Sequence, residues 1–213
     1  ATAAWPALTP DQVAARIRSR MTHLWKVQNL RIAVTPHPGN AGMDKGAFKQ
    51  IKVTADSVTV DGVKMTQVLM QAQDLVLDLP RLQTRNDVKV LRRGSDRIHA
   101  KVSEADLNRA LTFKKNRIEN MRIKLGQGNL VITGKYRFGL ATNFMAQGRL
   151  ECPDGYRISF IPTKASVGGL PLPTAPLRTL LKKINPLLDL QKIPMSPKVD
   201  RLIVQPGYLS VQG

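Results

Sequence analysis

Two long stretches of the chain alternate apolar and polar residues with a period of two, and this pattern constrains the fold more than any other feature. The first stretch covers residues 30–79 and the second covers residues 121–160. Alternation of this kind predicts antiparallel strands with one apolar face. The apolar face switches at Asp61-Gly62, which predicts a hairpin turn. The second stretch predicts a meander, and residues 202–211 predict a terminal hairpin.

Three modest helices accompany the strands. Thr9 and Pro10 predict the start of the first helix, which carries an apolar stripe of Val13, Ile17, Met21 and Leu24 and should end near Val27. The second helix should begin after Ser103, with Asp106 reaching back to this cap, and should end near Phe113. Pro176 predicts the start of a third, which Asn185-Pro186 stops.

Three short helices cannot cover one apolar face of about eight strands. The sheet must therefore curl around a helix, close on itself or leave an apolar groove. We expect a mainly β, α+β fold in which a long curled antiparallel sheet, tubular or half-barrel, wraps around one long helix, with two shorter helices. Residues 1–213 are predicted to form one domain, with residues 1–8 as a flexible N-terminal segment.

An apolar cavity is the functional prediction that follows from this geometry. Its lining should come from the inward-facing side of the meander and from the first helix. The residues predicted to line it are Met21, Leu24, Trp25, Phe138, Leu140, Phe144 and Phe160.

Motifs of catalysis are missing from the sequence. The three histidines do not have metal-ligand spacing, and neither a nucleophile elbow nor a phosphate-binding loop occurs. The one cysteine, Cys152, has no histidine near it in sequence and has the inward parity of its strand, which indicates a structural thiol. We therefore expect no enzyme activity, no cofactor and no metal.

The charge of the chain requires an anionic partner. There are 33 Lys and Arg against 15 Asp and Glu, a net charge of +18, which favours nucleic acid, an anionic membrane surface or acidic glycans. Nucleic acid is disfavoured because aromatic residues make up 5% of the chain and mostly have inward parity.

The predicted third helix has one apolar face and one basic face, and it follows an apolar loop. This arrangement fits a membrane surface better than it fits nucleic acid. In the alternative, which stays open, the helix packs on the sheet and its basic face is solvated. The residues predicted to dock are Leu170, Leu172, Leu177, Leu181, Arg178, Lys182 and Lys183.

The likeness to a known family covers most of the chain from about residue 10. It rests on three segments: Gly46-Ala47-Phe48 through Val63, Val102 through Leu111, and Val199 through Gly213. Their turns, caps and strand parity resemble those of the LmeA-like family of bacterial phospholipid-binding proteins. The resemblance implies an elongated, curled sheet enclosing a helix and an apolar lipid cavity. It also implies an extracytoplasmic, membrane-associated location, whereas the heavy basic load is not a mark of the family.

Together these observations predict non-enzymatic binding of phospholipid, or another acyl-chain lipid, at a bacterial membrane, with lipid transport or envelope maintenance as its roles. The alternatives are a polyanion-binding module with a filled core and an enzyme with a dispersed site. The expected location is the periplasm or cell envelope, peripheral to the membrane. Ala1-Thr2-Ala3-Ala4 fits the end of a cleaved signal peptide or an arbitrary end of the chain. The oligomeric state stays open.

Overall fold

The computed structural model describes residues 8–112, 118–138, 140–172 and 185–213, and for residues 111, 112, 118, 136–138, 140 and 141 it describes the backbone alone. The helices of this described part are α1 (Pro10–Leu24), α2 (Leu79–Arg85) and α3 (Glu104–Thr112). Its strands are β1 (Lys26–Gln28), β2 (Arg31–Thr35), β3 (Ala47–Val60), β4 (Val63–Leu77), β5 (Val90–Arg92), β6 (Ser95–Ser103), β7 (Ile118–Leu125), β8 (Leu130–Phe138), β9 (Leu140–Glu151), β10 (Arg157–Val167), β11 (Leu170–Pro171), β12 (Leu188–Asp189), β13 (Arg201–Gln205) and β14 (Tyr208–Gln212).

The strands form two antiparallel sheets. Sheet A has the order β1-β3-β4-β6-β14-β13, with β2 beside β3 and β5 beside β4. Sheet B has the order β11-β10-β9-β8-β7, with β12 beside β10. One sheet curls into a half-barrel and the other is flatter. The buried side chains of both sheets belong to one hydrophobic cluster.

The predicted mainly β fold with a curled, half-barrel sheet is confirmed, but the described residues form two sheets rather than one and show no long central helix. The longest described helix, α1, has 15 residues and contacts β1 and β2. The strand-rich stretches before and after α3 pair mostly within themselves, because consecutive hairpins keep each stretch in its own sheet. The buried residues of the three helices join those of both sheets in one hydrophobic cluster, so the described helices and the two sheets share the apolar core.

The first helix begins as predicted and ends earlier. Thr9 Oγ1 accepts a hydrogen bond from the Gln12 amide at 3.2 Å, and the Gln12 side chain accepts one from the Thr9 amide at 2.9 Å. Helix α1 buries Val13, Ile17 and Met21, but its last residue, Leu24, is 43% exposed. The expected end near Val27 is wrong, because the backbone becomes extended at the residue after Leu24 and then pairs with β3.

Two local predictions, a turn and a helix cap, are confirmed, and one helix, α2, was not predicted. The β3–β4 hairpin turns at Asp61-Gly62, and the Ser103 hydroxyl caps α3 by accepting a hydrogen bond from the Asp106 amide at 3.0 Å. The alternation predicts that Leu79 continues a strand, but β4 ends at Leu77. The Asp78 carboxylate caps α2 instead, accepting a hydrogen bond from the third residue of the helix at 3.1 Å.

The meander over β7–β10 is confirmed, and the apolar loop after it is more regular than expected. Gly168 and Gly169 have φ of 58° and 81° and turn the chain tightly, so that Leu170 and Pro171 pair with β10. The predicted third helix, which should begin at Pro176 and stop at Asn185-Pro186, lies in the range 173–184, outside the described residues. Residues 1–7 of the expected N-terminal segment also lie outside them, whereas Leu8 is buried.

Asparagine side chains cover the open edge of sheet B at β7 and the stretch of β10 that lies between its pairings with β12 and β11. On β7, the Asn108 amide donates to the Ile123 carbonyl oxygen at 2.8 Å and accepts from the Ile123 amide at 2.7 Å. On β10, Asn185 makes the same pair of bonds to Phe160, at 2.8 and 2.9 Å. Each side chain acts like one residue of a neighbouring strand, and this satisfies backbone groups that an open edge would leave unpaired.

Candidate functional site

The residues predicted to line a cavity occupy different environments. Met21, Phe144 and Phe160 are buried in the core, at 0%, 2% and 1% exposure. Trp25 is partly buried and packs against the core, whereas Leu24 is exposed. The side chains of Phe138 and Leu140 lie outside the described residues. Met21 is on α1, which contacts sheet A, whereas Phe144 and Phe160 are on sheet B.

A large open pocket lies where α3 meets β7. Its volume is about 730 Å³. A second pocket, of about 410 Å³, crosses β8, β9 and β10 and shares Asn120 and Thr133 with the first. We call the two together the sheet B groove; its lining comes from Glu104, Asn108, Arg109, Asn120, Met121, Arg122, Ile123, Lys124, Thr133, Gly134, Lys135, Asn143, Phe144, Met145, Ser166 and Gly169.

The groove across β8–β10 opens on the solvent face of sheet B. Thr133 and Ser166 are both opposite Met145 in the strand register, so the three side chains share one face, and Thr133 and Met145 have the opposite parity to the buried residues of β8 and β9. Of the seven predicted cavity residues, Phe144 lines this groove. Met21 and Phe160 line neither of its two pockets, because their side chains fill the core between elements.

A β-bulge shapes the middle of the groove. The pairing of β7 with β8 shifts between Glu119 and Arg122, and Asn120 has φ of 51°. A bulge adds an unpaired residue and redirects the side chains beside it. Sequence reasoning missed this part of the site. The available signal was the spacing of Ile118, Met121 and Ile123, which breaks the period of two once.

The groove combines cationic and apolar groups. Arg109 is 2.6 Å from Asp106, and the Lys124 ammonium is 3.6 Å from the Glu104 carboxylate. Arg122 and Lys135 are exposed and have no ion-pair or hydrogen-bond partner among the described residues. Glu119 is opposite Lys135 in the register, so a carboxylate lies on the same surface. Met145 is 46% exposed and supplies apolar surface at the 410 Å³ pocket.

The predicted docking residues are only partly described. Leu170 is 73% exposed and follows Gly169 of the groove directly. Leu172 is half-buried and packs against the core. Leu177, Arg178, Leu181, Lys182 and Lys183 lie outside the described residues. Among the residues that the structure describes, no helix combines the length and the hydrophobicity needed to cross a lipid bilayer.

Cys152 has the environment of an unreactive thiol. It is half-buried, and burial, with a smaller contribution from the Asp154 carboxylate, raises the pKa of the thiol from 9.0 to about 11. The thiolate is the nucleophilic form, so a raised pKa leaves little of it at neutral pH. Within the described ranges, no three His, Cys, Asp or Glu side chains are grouped so that they could hold a metal ion.

Comparison with known proteins identifies the family. The model of the family described as LmeA-like phospholipid-binding matches residues 1–213, which is the whole chain. No curated protein and no solved structure matches the chain. The family is described as binding phospholipid, a ligand that needs both apolar surface for acyl chains and a partner for its phosphate. Since the match spans every residue of the sequence, the chain belongs to the LmeA-like phospholipid-binding family.

Proposed function

We propose that the protein binds one phospholipid without changing it chemically, and that the sheet B groove is the binding site. The phosphate lies against Arg122 and Lys135, and the acyl chains lie along Met145 and the apolar lining near it. The observation that carries the lipid assignment is the family match over the whole chain. The groove is favoured as the site because its lining contains two cations without an ion-pair partner in the described part of the chain, Arg122 and Lys135, and the exposed apolar side chain of Met145.

The size and chemistry of the groove support this assignment. Its two pockets, of about 410 and 730 Å³, fall in the range of about 300–1,000 Å³ that is usual for ligand sites. A guanidinium can donate two parallel hydrogen bonds to two oxygens of one phosphate, which an ammonium cannot do. Each methylene group that leaves water contributes about 0.8 kcal/mol. Arg122 would therefore orient the headgroup, and the acyl chains would supply most of the affinity.

Membrane docking and location are part of the same proposal. Leu170 lies beside the groove and is largely exposed, so it can enter the interfacial region of a bilayer next to the site where lipid is taken up. The net charge of +18 favours an anionic membrane surface. We place the protein outside the cytoplasm, in the periplasm or envelope of a bacterium, peripheral to the membrane. There it would carry lipid or maintain the envelope.

A polyanion-binding module is the second candidate. It is favoured by the same net charge and by the close packing of the inward sheet faces, where Phe144 and Phe160 are almost fully buried. Such a module would bind anionic polymers as tightly as lipid and would contain no lipid after purification. Mass spectrometry of a solvent extract of the purified protein separates the two candidates.

Replacing the two unpartnered groove cations should weaken phospholipid binding. We expect the double variant Arg122→Gln/Lys135→Gln to bind a fluorescent phospholipid at least tenfold more weakly, because a charge-assisted contact contributes about 1.5–3 kcal/mol. The readout is equilibrium titration of delipidated protein with the lipid below its critical micelle concentration. Met145→Glu should weaken binding similarly, since it places a carboxylate beside the acyl chains.

The matched control is Lys26→Gln/Arg31→Gln, which removes the same charge from exposed positions on β1 and β2, on sheet A. This variant should bind lipid as the parent does. If both double variants lose affinity equally, only the net charge acts, and the groove is not the site. Binding by the groove variants that equals that of the parent also contradicts the assignment.

Leu170→Ser should reduce binding to vesicles at every salt concentration, by about fivefold, because it removes apolar surface and no charge. Leu170→Phe should retain binding, since the ring restores that surface. The measurement is co-sedimentation with vesicles of anionic and of neutral composition at low and high salt. Equal binding by the Ser and Phe variants would show that β11 does not face the membrane.

A further inference from the structure

Another exposed leucine lies on sheet A, at β5. Leu91 is 58% exposed, and it is the unpaired residue where the pairing of β4 with β5 shifts register. Val88 and Val90 pack against the core, so the alternating residues Lys89 and Leu91 lie on the outward side. Burial therefore does not account for this leucine.

The cations around Leu91 form no ion pairs with the described residues. Arg85, Lys89 and Arg92 are exposed and have no ion-pair partner among the described residues. We call these three residues and Leu91 the β5 surface.

The nearest carboxylates in sequence are engaged elsewhere. Asp87 lies 2.8 Å from Arg81 and 3.9 Å from Arg20, and Asp96 lies 2.6 Å from Arg93. These arginines neutralise the two acids, so the positive charge of the β5 surface is not cancelled. Asp74, exposed beside the turn at Gly94, lowers this charge without balancing three cations.

The β5 surface lies away from the groove. β5 pairs with the end of β4 at Val76 and Leu77. Helix α3, which lines the groove, packs near the opposite end of β4, where Ala110 approaches the hairpin glycine Gly62. A partner bound at β5 therefore leaves the groove accessible.

We infer that the β5 surface is a membrane-contact site that binds an anionic bilayer through Arg85, Lys89 and Arg92 and inserts Leu91 into the interfacial region. Cations around one protruding aliphatic side chain match a plane of anionic headgroups above acyl chains. A single-stranded nucleic acid is a poorer match, because it would need aromatic side chains for stacking and β5 has none. The inference does not require lipid to enter the groove, so either one can fail without the other.

The test compares Lys89→Gln/Arg92→Gln with the charge-matched control Lys26→Gln/Arg31→Gln in full-length protein. The vesicles contain phosphatidylcholine alone or phosphatidylcholine with about 30% phosphatidylglycerol, which makes the surface moderately anionic. Two cations near a charged surface predict about thirtyfold weaker binding of the β5 variant to anionic vesicles at low salt. The control should lose much less.

Insertion of Leu91 is tested with an environment-sensitive dye on Leu91→Cys, in a Cys152→Ser background, against the same dye on Lys26→Cys. Anionic vesicles should shift the emission to the blue at position 91 and leave it unchanged at position 26. Equal losses by the two double variants would mean that net charge alone acts. If Lys89→Gln/Arg92→Gln binds anionic vesicles as the parent does, or if the dye emission at position 91 does not shift, the cations only protect a strand edge. Each of these results overturns the inference.

Discussion

Gly148→Val is expected to destabilise the fold by more than about 4 kcal/mol, or to prevent soluble expression at 37 °C. A Cβ atom at Gly148 would lie 2.7 Å from the Phe160 ring and 2.8 Å from the Pro162 Cα, and still closer to the Ile161 carbonyl oxygen. Contacts this short do not occur in folded proteins, and two of the three involve backbone atoms that cannot turn away. Valine adds two methyl groups to the clash.

The reason for a glycine here is close approach, because Gly148 does not have a positive φ. It lies opposite Pro162, where the pairing of β9 with β10 shifts register. The control is Gln147→Val, the same new residue one position earlier on β9, where the side chain is half-buried on the opposite face. Chemical denaturation of both variants decides the matter: a Gly148→Val protein as stable as Gln147→Val would contradict the packing of β9 against β10.

Local chemistry explains the elements that sequence reasoning placed well. A cap such as Thr9 or Ser103 acts on amides within one turn, and Asp61-Gly62 turns the chain between residues that follow one another. Such signals need no knowledge of the rest of the molecule. The apolar alternation was also predictive, since one side of β3, β4 and β9 is almost entirely buried.

The division into two sheets could not be read from the sequence. A period of two states which side chains share a face, but not which strands pair, and β13 and β14 return from the end of the chain to join β6. Helix α2 was missed because its 7 residues carry too few apolar positions for a periodic signal. Asp78 and Pro80 do mark its start, but the alternation of Leu75, Leu77 and Leu79 across this point favours a strand.

The proposed groove differs from the predicted cavity for a related reason. The prediction drew on apolar, inward-facing residues, and of these Phe144 and Phe160 are almost fully buried in the core. The groove arises instead from outward-facing residues on a twisted sheet and from a bulge at Asn120. Concavity on a solvent face depends on the curvature of the whole sheet, which no window of sequence encodes.

The second large effect is expected at Asn108. Asn108→Leu should lower the free energy of unfolding by about 3 kcal/mol, because it leaves both the amide and the carbonyl group of Ile123 without a protein partner at a partly buried edge. The same side chain also donates to the Glu104 carbonyl oxygen at 2.9 Å. Leucine has the same branched shape as asparagine and a better helix propensity, so the lost hydrogen bonds should account for most of the destabilisation.

The matched control is Ala105→Leu, which introduces the same residue on the exposed side of α3 and should change stability by less than about 0.5 kcal/mol. Hydrogen exchange gives a readout at single residues. The Ile123 amide should lose protection in Asn108→Leu, while the Leu125 amide, held by the Glu104 carboxylate at 2.8 Å, should keep more of it. Equal loss at both amides would mean that α3 detaches as a whole. Full protection at Ile123 would mean that Asn108 does not cover this edge.

Because α3 lines the groove on one side and packs against sheet A on the other, loosening the contact between Asn108 and Ile123 should also weaken phospholipid binding.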